Sequence, residues 1–119
     1  MRIIYSNRKT EKQCTSLKAA TKLFGGDKAL AASLLARINA LEQAEILKDI
    51  VLMPTFHFHN LQGKMQGLFA IDVKARSDKW RIILEPLDDE EQPYHPCNID
   101  VIAAVVRIVR IKELSPHYE

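Results

Sequence analysis

Two spacings of apolar positions succeed one another along the chain: threes and fours over roughly the first half, then alternation in twos. Arg2 to Tyr5, with Ile3 and Ile4 at its centre, reads as a short opening strand, and Ser6 to Thr10 is too polar and charged to continue it. Thr15 or Ser16 is placed to cap a short helix whose apolar positions Leu17, Ala20 and Phe24 fall three to four apart. Gly25-Gly26 ends it, since glycine enters the left-handed conformation of a helix C-terminus without a Cβ penalty. Asp27 then caps a longer helix, predicted from about Lys28 to about Asp49, with Leu30, Leu34, Ile38 and Leu41 on one face. Two helices joined by so short a turn fold back as an antiparallel hairpin.

Met53-Pro54 closes the helical pattern, because proline lacks the amide proton and restricts the residue before it. Phe56 and Phe58 alternate with His57 and His59, which predicts a strand with both imidazoles on the face away from the phenylalanines. Gly63 and Gly67 bracket a connection, and two further strands follow, Leu68 to Ala75 and Trp80 to Pro86, joined by a turn at Ser77-Asp78. The second of these sends Trp80, Ile82 and Leu84 to one face and Arg81, Ile83 and Glu85 to the other. Leu87 to Asp100, with Pro93 and Pro96, reads as a loop before a last strand that starts at Val101 or Ala104 and runs to Lys112. That strand is apolar on both faces and is expected inside the sheet rather than at its edge. The order β-α-α-β-β-β-β predicts an α+β fold: an N-terminal strand and an antiparallel helical hairpin packed on one face of a mostly antiparallel sheet. The other face is left open for chemistry.

At 119 residues the chain is long enough for one domain with a real core and too short for two ordinary ones, so residues 1–119 are expected to form a single domain. No apolar run approaches the roughly 18 residues that span a bilayer, which points to a cytoplasmic protein. Cys14 and Cys97 lie in unlike contexts without CxxC or Cys/His spacing, so free thiols are expected. The formal charge of +2 hides an asymmetry. Five of the 15 acids, Asp88, Asp89, Glu90, Glu91 and Asp100, fall between Leu87 and Asp100 with no lysine or arginine among them, so the remainder carries 17 basic residues against ten acidic ones. A basic body of this kind suits a polyanion or an acidic protein partner.

Proton carriers and cations collect in the second half. His57 and His59 share a face, Arg81 points away from the predicted core, and Lys74, Arg76 and Lys79 surround one turn. The tail adds His117 and Tyr118. Each also has a plain structural reading: the histidines as surface imidazoles, Arg81 as a cross-strand partner of Asp72 or Glu85 worth roughly 0.2–1 kcal/mol, the turn cations as a solubilising hairpin tip, the tail as an inert chain end. The acidic loop reads either as a solvated segment or as an internal mimic of nucleic acid covering part of the basic face.

In their order and spacing, four segments resemble the RelE/ParE superfamily of bacterial toxins, and within it the HigB-like, plasmid maintenance system killer, branch. They are His59-x-Leu61-x-Gly63, Gly67-Leu68-Phe69-Ala70-Ile71-Asp72-Val73, Trp80-Arg81-Ile82, and a chain end bearing His117-Tyr118. The resemblance implies a RelE-like fold and a ribosome-dependent mRNA endonuclease, held inactive by a cognate antitoxin and using no metal or other cofactor. Such an enzyme must take the proton of a 2′-hydroxyl, protonate the leaving 5′-oxygen and steady the crowded phosphorane. Imidazole titrates near neutrality, guanidinium matches phosphate oxygens, and a phenol can donate a hydrogen bond or stack on a base. By the resemblance His59, Arg81, His117 and Tyr118 are the catalytic set; His57, Lys64 and the turn cations Lys74, Arg76 and Lys79 are the candidate RNA contacts. Two positions depart from the family's habit: Gln62 stands where a lysine is common before the loop glycine, and the tail reads Pro116-His117-Tyr118-Glu119 where Asp-Tyr-His is common. The alternatives on the same fold are a ParE-like poison of DNA gyrase without nuclease activity and an inactive antitoxin-binding module.

Overall fold

A computed structural model describes residues 1–116, and the predicted site residues His117 and Tyr118 lie outside that range. Five strands form one sheet in the order β1-β5-β4-β3-β2: β1 (Arg2–Tyr5), β2 (His59–Asn60), β3 (Phe69–Asp72), β4 (Arg81–Leu87) and β5 (Ile108–Ser115). β5 runs parallel to β1 and antiparallel to β4, and the remaining pairs are antiparallel. The doubly apolar last strand therefore lies inside the sheet, as its composition requires.

Helices α1 (Arg8–Thr15), α2 (Leu17–Leu23), α3 (Lys28–Gln43) and α4 (Leu47–Val51) supply one side of the main core. Leu34, Ile38, Leu41, Leu47 and Ile50 meet Ile71, Val73, Ile82, Leu84, Val109 and Ile111 from the sheet. Each such side chain contributes about 1.5–3 kcal/mol by leaving water, which holds the helices to this face.

Four predicted boundaries are corrected by local hydrogen bonding. The strand ends at Tyr5 as expected, but the polar stretch after it begins a helix that was not predicted: the Asn7 side chain accepts the Thr10 amide at 2.8 Å, so α1 starts at Arg8 and turns Thr10 and Cys14 inward. Ser16 breaks the helix there and caps α2, accepting from the Ala19 amide, so three helices precede Ala44 rather than two. The long helix stops at Gln43 instead of Asp49, because the Asp49 carboxylate accepts the Glu45 and Ile46 amides and starts α4 in a new direction. Val101 to Ala104 is not strand: Asn98 caps a short α5 (Ile99–Ile102), which docks on α4 through Lys48 N–H to the Ala103 carbonyl at 3.0 Å.

A fifth correction positions the site. Pro54–Phe56 is a 3-10 turn and His57 is left-handed (φ 49°), so only His59 and Asn60 pair as strand. Phe56 and Phe58 still go to the core side, Phe58 stacking on Phe69 at 5.0 Å. The opposite face of the sheet is not wholly bare. Leu61, with Met65 and Leu68, folds over Ala70 and Ile83 and covers its centre. What stays uncovered lies on either side of that segment.

Candidate active site

Strand register assembles the first uncovered area. Asp72 stands opposite Arg81, Arg81 opposite Ser115, and His59 opposite Ala70, all reached from one end of the sheet. The left-handed backbone of His57 swings its ring over this end, 4.6 Å from the His59 ring centre. Asp72 is buried, and its Oδ1 lies 3.4 Å from His57 Nδ1 and 3.2 Å from Arg81 Nε. Neither approach is aligned as a hydrogen bond, so this is an electrostatic contact of a buried carboxylate with two neighbours.

The ring hydrogens follow from the partners. An arginine only donates, so His57 Nε2, 2.8 Å from Arg76 Nη2, accepts, and the hydrogen of a neutral ring lies on Nδ1 facing Asp72. A carbonyl only accepts, so His59 Nδ1–H donates to the His57 carbonyl at 2.8 Å. His59 Nε2 then carries a lone pair, and it is a buried nitrogen without a hydrogen-bond partner among the described residues. Once the groups over it move aside, a nitrogen with that electron pair can accept a proton from a substrate hydroxyl.

Arg81 lies at the site but is only 5% exposed. Its Nη1 donates to the carbonyls of Asp78 and Trp80, and its Nη2 to that of Arg76, which ties the β3–β4 turn to the strand. The guanidinium is thus occupied by backbone and by Asp72, whereas Arg76, Lys74 and Lys79 on the same turn are exposed. Lys64 is exposed on the 3-10 turn Gly63–Met65, away from the histidines along the covering segment. His117 and Tyr118 are outside the described residues, but β5 ends at Ser115 opposite Arg81, so the chain leaves the sheet beside the cluster.

Two contributors exceed a reading of the sequence. Asp72, expected at most as a cross-strand partner of Arg81, is that partner and is also the carboxylate that His57 faces. Arg37, one polar position of α3, donates to the carbonyls of Asp72 and Lys74 at 3.0 Å each and of Thr55 at 3.3 Å, with its guanidinium 4.2 Å from the centre of the Phe56 ring. Burial lowers the Arg37 pKa and the Asp72 charge acts against that. Arg37 therefore locks the segments that carry His57 and Arg76. Its spacing on the helix is the only sequence signal, and that signal fits any solvated arginine. No group of three His, Cys, Asp or Glu residues suited to a metal occurs among the described residues.

No protein-family model and no curated protein matches the sequence. Among solved structures the chain is similar to the crystal structure of YafQ from E. coli strain BL21(DE3), at 16% identity over 97% of this chain and 92% of that one, with a TM-score of 0.48.

Proposed function

We propose that this chain is the toxin of a type II toxin–antitoxin system, a HigB-like member of the RelE/ParE superfamily that cleaves mRNA on the ribosome without a metal. The reading starts from the resemblance of the four sequence segments and is carried by one observation: His59 Nε2 has no hydrogen-bond partner among the described residues, and its ring lies against His57, which in turn meets Arg76. In it, His59 Nε2 takes the proton of the 2′-hydroxyl as that oxygen attacks the adjacent phosphate. Arg76, with Lys74 and Lys79 behind it, moves from His57 onto the phosphate oxygens as the pentavalent phosphorus forms. That releases His57 Nε2 toward the substrate, with its ring oriented from behind by Asp72. His117 or Tyr118 protonates the leaving 5′-oxygen. Arg81 acts here as a positioning residue, holding Asp72 and the turn that carries Arg76. The partners are a cognate antitoxin, the ribosome and its message.

Brief expression followed by mapping of mRNA 5′ ends tests the reading. It expects new ends inside translated frames with the parent chain and none with His59→Ala. Replication arrest with intact messages would replace the nuclease by a gyrase poison, and normal growth would leave an antitoxin-binding module.

A further inference from the structure

Beyond the covering segment, on the same face of the sheet, lies a cavity of about 400 Å³. Glu85 of β4, Gln66-Gly67, and Tyr94 with Pro93 and Pro96 line it. That volume falls within the range of small-molecule sites. The flat walls of tyrosine and proline suit a planar ring, and a tyrosine face stacks on any base. Glu85 is half-buried, with Arg110 Nη1 at 2.9 Å and Lys112 Nζ at 4.0 Å, both approaching Oε1. Among the described residues no hydrogen bond or ion pair uses Oε2, which leaves that oxygen for a ligand. A carboxylate repels phosphate, so the group it accepts is one that presents N–H donors.

From these observations we infer that the cavity takes one unpaired nucleobase of the RNA substrate and that Glu85 reads it, favouring guanine. Guanine offers two adjacent donors, N1–H and the 2-amino group, to Oε2 and the remaining lone pair of Oε1, whereas uracil offers a single N–H between two carbonyls that the carboxylate repels. The placement agrees with a strand of RNA running from the histidines. Arg81 and Glu85 are four residues apart on β4, about 13 Å at the usual rise, and Ile83 between them lies under the segment that carries Lys64. Lys64 is thus available to a phosphate between the scissile link and the bound base. The inference rests on the ribonuclease reading for its substrate, while nucleotide binding in the cavity is open to test by itself.

Cys97 lines the cavity and is partly exposed, whereas Cys14 is buried, so alkylation of the full chain reports occupancy at one thiol. Guanosine 5′-monophosphate is expected to slow Cys97 labelling several-fold and uridine 5′-monophosphate to leave it unchanged, and Tyr94→Ala removes the protection. Equal protection by both nucleotides, or none by either, overturns the inference. In the mapped cleavage sites, guanine is expected to be enriched roughly ten- to hundredfold at one fixed distance from the cut, and Glu85→Gln to lose that enrichment while Arg110 keeps an oxygen to bind. Cleavage by Glu85→Gln with unaltered base preference also overturns it. A parent chain that cuts no message would instead defeat the ribonuclease reading, and Cys97 protection would still decide the cavity.

Discussion

Replacing Arg81 by alanine separates a structural arginine from a phosphate ligand, because the two roles predict opposite outcomes for folding. The guanidinium donates to three backbone carbonyls and faces Asp72 Oδ1 at 3.2 Å, with 5% of the residue exposed. Alanine removes all of these and leaves the buried Asp72 carboxylate with the half-buried His57 beside it and the charge of Arg37 behind it. Breaking a buried pair from one side costs about 3–5 kcal/mol, mostly the penalty of the stranded charge. Against a total stability of about 5–15 kcal/mol that is a large fraction, and it lowers the melting temperature by roughly 10–20 °C in a chain of this size. Urea and thermal melts of Arg81→Ala measure it. The double change Asp72→Ala with Arg81→Ala should cost less than the two single changes added together, by about 0.5–3 kcal/mol, since it leaves no stranded carboxylate. An Arg81→Ala chain within about 0.5 kcal/mol of the parent, as an uninvolved surface substitution would be, refutes the reasoning. If such a chain also lost RNA binding, Arg81 would be the phosphate ligand that its strand position first suggested.

The remaining predictions concern chemistry, charge and pH. His59→Gln keeps a polar side chain but removes the free imidazole nitrogen, so single-turnover cleavage should fall by about 10²–10⁴ with an unchanged circular dichroism spectrum. Arg76→Ala should leave stability within about 0.5 kcal/mol, because the side chain is exposed, while cleavage drops; a variant as active as the parent would remove Arg76 from the phosphate. Changing Lys74 and Lys79 together to glutamine should flatten the salt dependence of RNA binding by about one to two released counterions, read from affinities at several salt concentrations. Burial pushes the Cys14 thiol from its ordinary 9.0 up to about 12. The unfolded chain therefore loses that proton first. The contribution of the neutral thiol is complete below about pH 8.5 and declines at about 1.4 kcal/mol per pH unit as pH rises toward 12. Tyr5, raised by burial and then by the charges of Cys14, Glu42 and Glu11, adds to the alkaline decline. Urea melts at about pH 8 and about pH 10 should show a smaller loss in Cys14→Ala than in the parent.

Much of the layout was legible because it is written in short-range patterns. The Gly25-Gly26 turn, the Asp27 cap, the apolar face of α3 and the doubly apolar β5 each depend on residues within a few positions of one another, and the corresponding elements occur. The misread boundaries fall where a side chain competes with the helix for backbone groups, as Asn7, Ser16 and Asp49 do. Propensity alone does not decide those contests. The alternation at Phe56 to His59 predicted the right faces from the wrong backbone. Apolar rings go inward whether the chain is a strand or a left-handed turn.

Residue type by itself determined which groups were available here: two imidazoles close in sequence, a turn rich in cations, an arginine on the face away from the helices. Which of them has a lone pair to offer, and which is consumed in holding the fold, was decided by contacts between residues far apart in the chain. Asp72 and Arg81 meet only because β3 and β4 pair in that register, and Arg37 reaches the Asp72 carbonyl only because α3 packs against that end of β3. The availability of a polar side chain is set by the partners that surround it, and a linear spacing cannot specify partners brought in by tertiary packing.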